Sequence, residues 1–515
     1  MIILKTIRVL QLGAEDFSKS IRVAECAEWN YEPDFSELPE KDFEVVILDR
    51  EVTAEEFEFL IRFTKAYCLF VTENVSLRQG EAVQQLFIRK MGKKISQEEL
   101  RRLLSEELPD YFPGSYGEKY MPQDLSIAQG FQGHVSWRGY EGVELDGDYG
   151  EELTQVVFWR NNLPAEVGQA IEFWLEYKKD DTVEILLEIS MIQFGYGMEP
   201  QLQSVWAFSE DELKDIVYIE NKSNNLGYLF TSLKARGRGR LTVTALHDRH
   251  SRRGKGNFIL GGGRAVTSER EEIFYYFEPG NLKPPLNVYF SGYKTKEGFE
   301  GYYMMRGREH PFLLIAEARL EGGCFYLGSE EYEDIMEQII RNYMKKLGFQ
   351  NSEVILSGLS MGTFGALYYG CRIHPNAILI GKPLASIGDV AENERILRPG
   401  GFPTSLDVLH KTCGSLSQEA VRQLNDRFWN RFDHTDWSGT RFAAAYMMED
   451  DYDRNAYQNL QSHLKDAGAR IYGKGLRGRH NDDSSGIINW FLSQYQEIIE
   501  SDFDKGQRRT GRQRR

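Results

Sequence analysis

The residues Gly358-Leu359-Ser360-Met361-Gly362 have the types and spacing for serine acyl chemistry. They follow the β-branched run EVILSG (Glu353 to Gly358) and precede a helix-forming run, Thr363 to Gly370. Strand, GxSxG and helix in that order make a nucleophile elbow, a strained turn that presents a serine hydroxyl. Glycines two places either side remove side chains that would collide with the turn, and Gly365 lets the helix pack close. The competing reading of the same residues is an ordinary tight turn. A serine hydroxyl needs a base to take its proton, and the base needs a carboxylate to hold its tautomer. The chain order in this arrangement is Ser, acid, His. Five histidines follow Ser360: His374, His410, His434, His463 and His480. His374 is too near the elbow helix, and His463 sits in the helical stretch Tyr457 to Ala467. His480 lies in GLRGRHNDD, a glycine-rich loop between the last strand and the last helix (Ile487 to Ile499), where a base belongs. Its bland alternative is a surface-loop histidine.

The acid is expected just past FAAAYMM (Phe442 to Met448), where Glu449, Asp450, Asp451 and Asp453 crowd. A shift of one residue changes which side chain points inward, so the choice stays open in the order Asp450, Glu449, Asp451. The alternative is that all four are solvated. Two backbone N–H groups must face the oxyanion. Met361 supplies one, directly after the nucleophile. The loop after NVYFSG (Asn287 to Gly292) supplies the other, near Gly292 or Tyr293. The HGGG form of that loop is absent.

The elements that must position these groups fall in a third region, residues 271–504, opened by the linker EPGNLKPP (Glu278 to Pro285). NVYFSG, FLLIAE (Phe312 to Glu317), EVILSG, AILIG (Ala377 to Gly381), FAAAYMM and ARIYG (Ala469 to Gly473) read as strands, with a helix over Glu331 to Leu347. This predicts an α/β-hydrolase domain. Residues 1–124 read as a small parallel α/β domain, Rossmann- or receiver-like, with strands at Ile7 to Gly13, Phe43 to Arg50 and Tyr67 to Glu73. Helices are expected over Ala54 to Thr64 and Gln97 to Glu107. Asp49 at a strand end, with Glu15 and Asp16 after the first strand, invites a phospho-receiver reading. No lysine stands clearly at the end of a later strand to complete it, and a strand-terminal carboxylate is the plainer account. Residues 125–270 change to period two: Ile171, Phe173, Leu175 and Tyr177 alternate with glutamates, as do Val183, Ile185, Leu187 and Ile189. That predicts a middle antiparallel β-sandwich. Trp137, Trp159, Trp174 and Trp206 there are core residues or a glycan-binding surface. His247 and His250 form an HxxH without a third ligand nearby, so no metal site is expected. RGRGR (Arg236 to Arg240) and Gly261–Gly263 read as loops.

Composition narrows the function. The chain has 515 residues, 41% hydrophobic and 27% charged, which is globular and large enough for several cores. The net charge of −16 argues against nucleic acid as a ligand. Six of the last eleven residues, 505–515, are Lys or Arg, read as a basic disordered tail or a contact with anionic lipid. Five scattered cysteines without a CxxC fit a reducing cytoplasm. No apolar run approaches the roughly 20 residues that span a bilayer, so membrane contact would be peripheral.

SGLSMGTFGALYYG resembles the elbow of esterase-D-like α/β-hydrolases over the third region. Over nearly its full length the chain resembles a more specific family, the second of the accessory-secretion (Asp) proteins of Gram-positive export systems. The resemblance rests on the three-region organisation and on ILSGLSMGTFGALYYG, AYMMEDDYD and GLRGRHNDD. It implies a cytoplasmic protein that works with its two sister accessory-secretion proteins and the accessory SecA motor on a serine-rich-repeat glycoprotein adhesin. It also implies O-acetylation of N-acetylglucosamine on that adhesin by Ser360, an acid in the Glu449–Asp451 cluster, and His480. No cofactor is implied; acetyl-CoA is a candidate acyl donor, without a binding motif. A non-catalytic scaffold or chaperone of the export complex and a cytoplasmic carboxylesterase are the alternatives.

Overall fold

The computed structural model describes residues 6–32, 41–78, 81–114, 117–193 and 199–504; the basic tail, 505–515, lies outside them. The fold is mixed α/β, built on three sheets, two of them with parallel strands and one antiparallel.

The first sheet has five parallel strands in the spatial order Ala27–Glu32, Ile7–Leu12, Val45–Leu48, Leu69–Thr72, Lys93–Ile95. The unbroken apolar runs are its central strands, buried on both faces. The two outer strands, AEWNYE and KKI, escaped the sequence reading because edge strands need little apolar surface. Helix Ala54–Phe63 begins with a capping box: the Glu56 N–H donates to the Thr53 hydroxyl, and the Thr53 N–H donates back to Glu56.

The middle sheet has ten strands, mutually antiparallel, around one core containing Val143, Leu145, Val157, Leu187, Ile189, Leu233 and Val243. Its spine is the 24-residue strand Gly227–His250. RGRGR, read as a loop, runs through the middle of that strand. The arginines and glycines alternate with the pleat, and the register shifts at Gly237, whose φ is +94°. Low glycine propensity suggested a break, but pairing on both edges overrides it. Trp159 and Trp174 are core residues, whereas Trp137 is 51% exposed.

The third sheet has eight strands in the order Gly263–Val266, Glu272–Glu278, Phe312–Ala316, Leu286–Phe290, Val354–Leu359, Ala377–Gly381, Arg441–Met447, Ile471–Leu476. The last six are parallel, and the first two join antiparallel. The segment Glu278 to Pro285, read as a linker ahead of this region, therefore connects two strands of one sheet. Gly261–Gly263 is a turn whose last residue opens the edge strand.

A buried charge network rivets the middle sheet to the third. His247 lies 2.5 Å from Glu297 and 2.9 Å from Glu176, and Arg249 donates to Glu297 and, through both Nη atoms, to Glu272. Arg264 donates to Glu272 from the edge strand. Glu176, His247 and Glu272 lie close enough to share a cation, but Arg249 and Arg264 already compensate the carboxylate of Glu272. His250 turns away and meets the Pro113 carbonyl at 2.8 Å. Residues three apart on a strand face opposite sides, so HxxH cannot converge here as it does on a helix. Across the same boundary, the turn at Gly139–Glu141 docks on helix Thr404–Cys413. Tyr140 N–H donates to Asp407 (2.9 Å), and His410 meets Glu141 (2.5 Å).

Candidate functional site

The C-terminal ends of the six parallel strands share one edge, the place where open α/β sheets form their clefts. Ser360 stands there, between strand Val354–Leu359 and helix Met361–Ile373. Its φ of +53° and ψ of −121° are strained for a residue with a side chain. The surroundings enforce the turn. Ser360 N–H donates to the Gly381 carbonyl at 2.8 Å, and the Thr363 hydroxyl donates to the Ser360 carbonyl at 2.6 Å. A methyl group on Gly362 would lie 2.1 Å from the Phe290 carbonyl oxygen, and one on Gly358 would lie 2.3 Å from the Gly362 oxygen. Gly365 plays the same part against the Phe290 ring at 2.7 Å.

The sequence-predicted base and one predicted acid meet this serine. Ser360 Oγ is 2.9 Å from His480 Nε2, and His480 Nδ1 is 2.8 Å from Asp450 Oδ2. With Nδ1 protonated toward Asp450, Nε2 is free to accept the hydroxyl proton. His480 is 1% exposed and Asp450 5%, so the relay sits largely out of water. The other Asp450 oxygen accepts from Tyr452 N–H at 2.9 Å, and the Tyr452 ring lies against the imidazole with centroids 4.2 Å apart.

The remaining acids of the cluster go elsewhere. Glu449 is exposed and accepts from Gly478 N–H at 2.5 Å. Asp451 accepts from the backbone N–H of His480 at 3.1 Å and pairs with Arg398 at 2.9 Å. Asp453 is buried and accepts from both Ala385 and Ser386 N–H at 2.8 Å. Burial pushes its carboxyl up to about 7, despite those two hydrogen bonds. Glu449 and Asp451 thus brace the loop that carries His480, and Asp453 braces the segment after Gly381.

Met361 is the first residue of its helix, so its N–H has no intrahelical acceptor. Gly292 N–H differs from the expectation. It donates to Glu300 Oε2 at 2.8 Å, because the loop after strand Leu286–Phe290 returns Glu300 beside it. The neighbouring Tyr293 N–H has no acceptor among the described residues, and Tyr293 lines the same cavity as Ser360. Of the three residues expected to hold the oxyanion, Met361 and Tyr293 are therefore the ones whose backbone N–H has no acceptor among the described residues.

An open cavity of about 600 Å³ leads to Ser360. Tyr293, Phe402 and Tyr452 give it aromatic walls; Glu300, Glu321, Asn481 and Ser484 give it hydrogen-bonding groups; Lys382 is the one cation among the described residues that line it. Sequence reasoning missed Lys382 and Glu300. Lys382 follows the strand AILIG directly, which is the one signal that it would reach the cleft edge. Chemically, the arrangement can deprotonate a hydroxyl, attack a carbonyl and hold the resulting oxyanion.

Asp49, singled out in the first region, accepts from Thr72 (2.5 Å) and Asn74 (3.1 Å). Lys94, on the edge strand Lys93–Ile95, donates to the Thr72 carbonyl at 3.0 Å. Glu15 is exposed, and Asp16 caps its own turn and accepts from Trp29. No metal-holding group among the described residues includes Asp49.

The chain is similar to known proteins over almost its whole length. It is 38% identical to the second accessory-secretion (Asp) protein of the accessory Sec system of Streptococcus gordonii, over 97% of this chain and 99% of that one. The corresponding accessory Sec system protein of Staphylococcus aureus is also 38% identical, with 97% and 98% covered. Among solved structures, the glycosylation associate protein (Gap123) complex from Streptococcus agalactiae contains a chain that is 33% identical. It superposes with a TM-score of 0.84, covering 97% of this chain and 99% of its own. The sequence profile of the family of second Asp proteins, described as the accessory Sec system GspB-transporter, matches residues 7–505, and the chain belongs to that family.

Proposed function

We propose that this chain is a serine-dependent O-acetyltransferase that modifies N-acetylglucosamine on a serine-rich-repeat glycoprotein and supports its export. What carries the reading is the Ser360–His480–Asp450 relay, with hydrogen-bond distances of 2.9 and 2.8 Å at the open end of a parallel sheet. Ser360 Oγ attacks the acetyl carbonyl and its proton passes to His480 Nε2. The oxyanion is held by the N–H groups of Met361 and Tyr293. As the tetrahedral intermediate collapses, the donor's leaving group departs with the proton from His480, and acetyl-Ser360 remains. A sugar hydroxyl then attacks the acetyl group, giving its proton to His480. Ser360 Oγ leaves and takes that proton back. Aromatic walls beside carboxylate and amide groups suit a sugar ring, which presents apolar faces and hydroxyl edges.

A second role draws support from the two sheets that this chemistry does not need. The middle one is joined to the third by buried ion pairs, and both offer surface for the sister accessory-secretion proteins and the accessory SecA motor, on the cytoplasmic side. No helix among the described residues is long and apolar enough to cross a membrane. The test is the intact mass of a glycosylated adhesin fragment co-expressed with the wild-type chain or with Ser360→Ala. Increments of about 42 Da per acetyl group, absent with the variant, are expected for transfer through an acyl-serine. Identical spectra would leave the scaffold role alone. Rapid turnover of small esters with no benefit from the acceptor would favour a carboxylesterase.

A further inference from the structure

Lys382 has an unusual setting for a lysine. It follows the last residue of strand Ala377–Gly381, beside the strand that carries Ser360. Its φ is +57°, so a residue with a side chain occupies backbone space that favours glycine. The chain is held there by the Lys382 N–H, which donates to the Ala445 carbonyl at 2.8 Å. The residue is 8% exposed, yet it lines the cavity that leads to Ser360. Its ammonium donates to the Ser484 hydroxyl at 3.2 Å and makes no ion pair among the described residues. Burial lowers its pKa, and the charge of Asp450 opposes that only partly.

The carboxylates on the same lining are engaged. Glu300 accepts from Gly292 N–H, and Glu321 accepts from the Thr404 hydroxyl at 2.9 Å. A cation held in a reactive cavity with one neutral partner has hydrogen-bonding capacity left for an anion. Ser484 adds a second donor at the first turn of helix Ser484–Ile498.

We propose that Lys382 is a donor-selecting residue that binds a phosphate group of the acyl donor, so that the chain takes its acetyl group from a phosphate-bearing donor. This rests on the acyl-transfer reading of Ser360. Two donors share the chemistry: an acetyl thioester of a nucleotide-bearing thiol such as acetyl-CoA, and the smaller acetyl phosphate. A neutral donor would leave the ammonium unmatched. The carboxylates of Glu300 and Glu321 confine the anion to the Lys382 wall.

The test uses the full chain and Lys382→Met, which keeps an unbranched stem and the backbone strain and removes the ammonium, its charge and its hydrogen bond to Ser484. Binding of CoA is measured by calorimetry. Acetylation of Ser360 is followed by intact mass with acetyl-CoA, acetyl phosphate, the neutral thioester S-acetyl-N-acetylcysteamine, and an aryl acetate. Loss of one charge-assisted hydrogen bond predicts that the ratio of kcat/KM for the phosphate-bearing donor to that for the neutral thioester falls roughly 10- to 150-fold, carried in KM. Weaker CoA binding by a similar factor would identify the nucleotide thioester. A fall confined to acetyl phosphate would identify the smaller donor. Equal losses on all donors would overturn the proposal and make Lys382 a support for Asp450. Unchanged ratios with unchanged CoA binding would overturn it as well. Failure of the wild-type chain to acylate Ser360 even with the aryl acetate would refute the acyl-transfer reading itself, and absence of CoA and acetyl phosphate binding in that protein would refute the donor site too.

Discussion

Substituting Asp450 by Asn tests the relay at its most specific point, because the sequence offers four acids and the geometry joins only one to the imidazole. Asp450 Oδ2 lies 2.8 Å from His480 Nδ1, and both side chains are nearly excluded from solvent. When His480 takes the Ser360 proton, an imidazolium forms beside this carboxylate. At an effective dielectric of about 20, two unit charges some 4 Å apart attract by about 4 kcal/mol. That corresponds to about three decades in rate. An Asn amide can also donate to Nδ1, which favours the wrong tautomer and adds about one decade more. The expected loss in kcat is therefore about 10³- to 10⁴-fold. The assay is burst and steady-state hydrolysis of an aryl acetate, with thermal unfolding as a control for folding. The Asn oxygen can still accept from Tyr452 N–H, so the loop should persist. Glu449→Gln touches an exposed side chain and should cost less than about tenfold. Asp451→Asn loosens the His480 backbone and the Arg398 pair, and should cost about 10- to 100-fold through misplacement. A Glu449→Gln loss equal to that of Asp450→Asn, or an Asp450→Asn protein retaining a tenth of the wild-type rate, would refute this reasoning.

Three further outcomes follow from the geometry. Gly362→Ala puts a methyl carbon 2.1 Å from a backbone oxygen that cannot swing away, so the melting temperature should fall with about 1–3 kcal/mol of lost stability and activity should drop about 100-fold. Arg249→Met removes the cation between two buried carboxylates; urea unfolding should show about 3–5 kcal/mol lost, far more than for an exposed arginine. In the same network, burial would lower His247, but the charge of Glu297 and the hydrogen bonds that the imidazolium donates to Glu176 and Glu297 raise it to about 9. Its contribution is therefore complete below its unfolded value of 6.5 and is lost as pH rises through about 9. Burial would raise Glu297, but Arg249 and His247 hold it down at about 2, so its contribution is present above 4.5 and is lost as pH falls toward 2. The stability difference between wild type and His247→Gln should narrow between pH 6.5 and 9 if this sign is right; a widening would refute it.

The site was legible where local chemistry and chain order constrain each other. GxSxG between a β-branched run and a helical run fixes Ser360 in place, and a histidine after the last strand can only face the same edge. The acid was less legible, because EDDYD offers four carboxylates and only the turn after Met447 decides which points inward. Gly292 shows a different limit. Its place in the loop after strand Leu286–Phe290 was readable, but its partner Glu300, eight residues on, was not. RGRGR was misread because glycine has poor strand propensity, and the two flanking strands that hold it straight lie 50 to 90 residues away in sequence. The cross-sheet network was invisible for the same reason. Its carboxylates, at 176, 272 and 297, look like ordinary surface glutamates until the fold brings them to His247 and Arg249.

The two strained residues of the cleft explain one another. Ser360 and Lys382 both follow parallel strands, both have positive φ, and both are tied by their N–H to the next strand over, at Gly381 and Ala445. A parallel strand that ended in relaxed extended geometry would carry its next side chain onward, past the sheet edge. A left-handed turn brings the side chain back over the edge and into the cleft. Strain of about 1–3 kcal/mol at each position persists only where the surrounding bonds over-determine it. At Ser360 the return serves the hydroxyl. The same device repeated one strand away, on a lysine without an ionic partner among the described residues, places a positive charge over the same cavity. Lys382→Gly should therefore relieve strain and raise the melting temperature relative to Lys382→Met, while both lose the preference for phosphate-bearing donors. A Gly variant no more stable than the Met variant would mean that the left-handed turn is not strained at this position, and the argument from strain to function would fail with it.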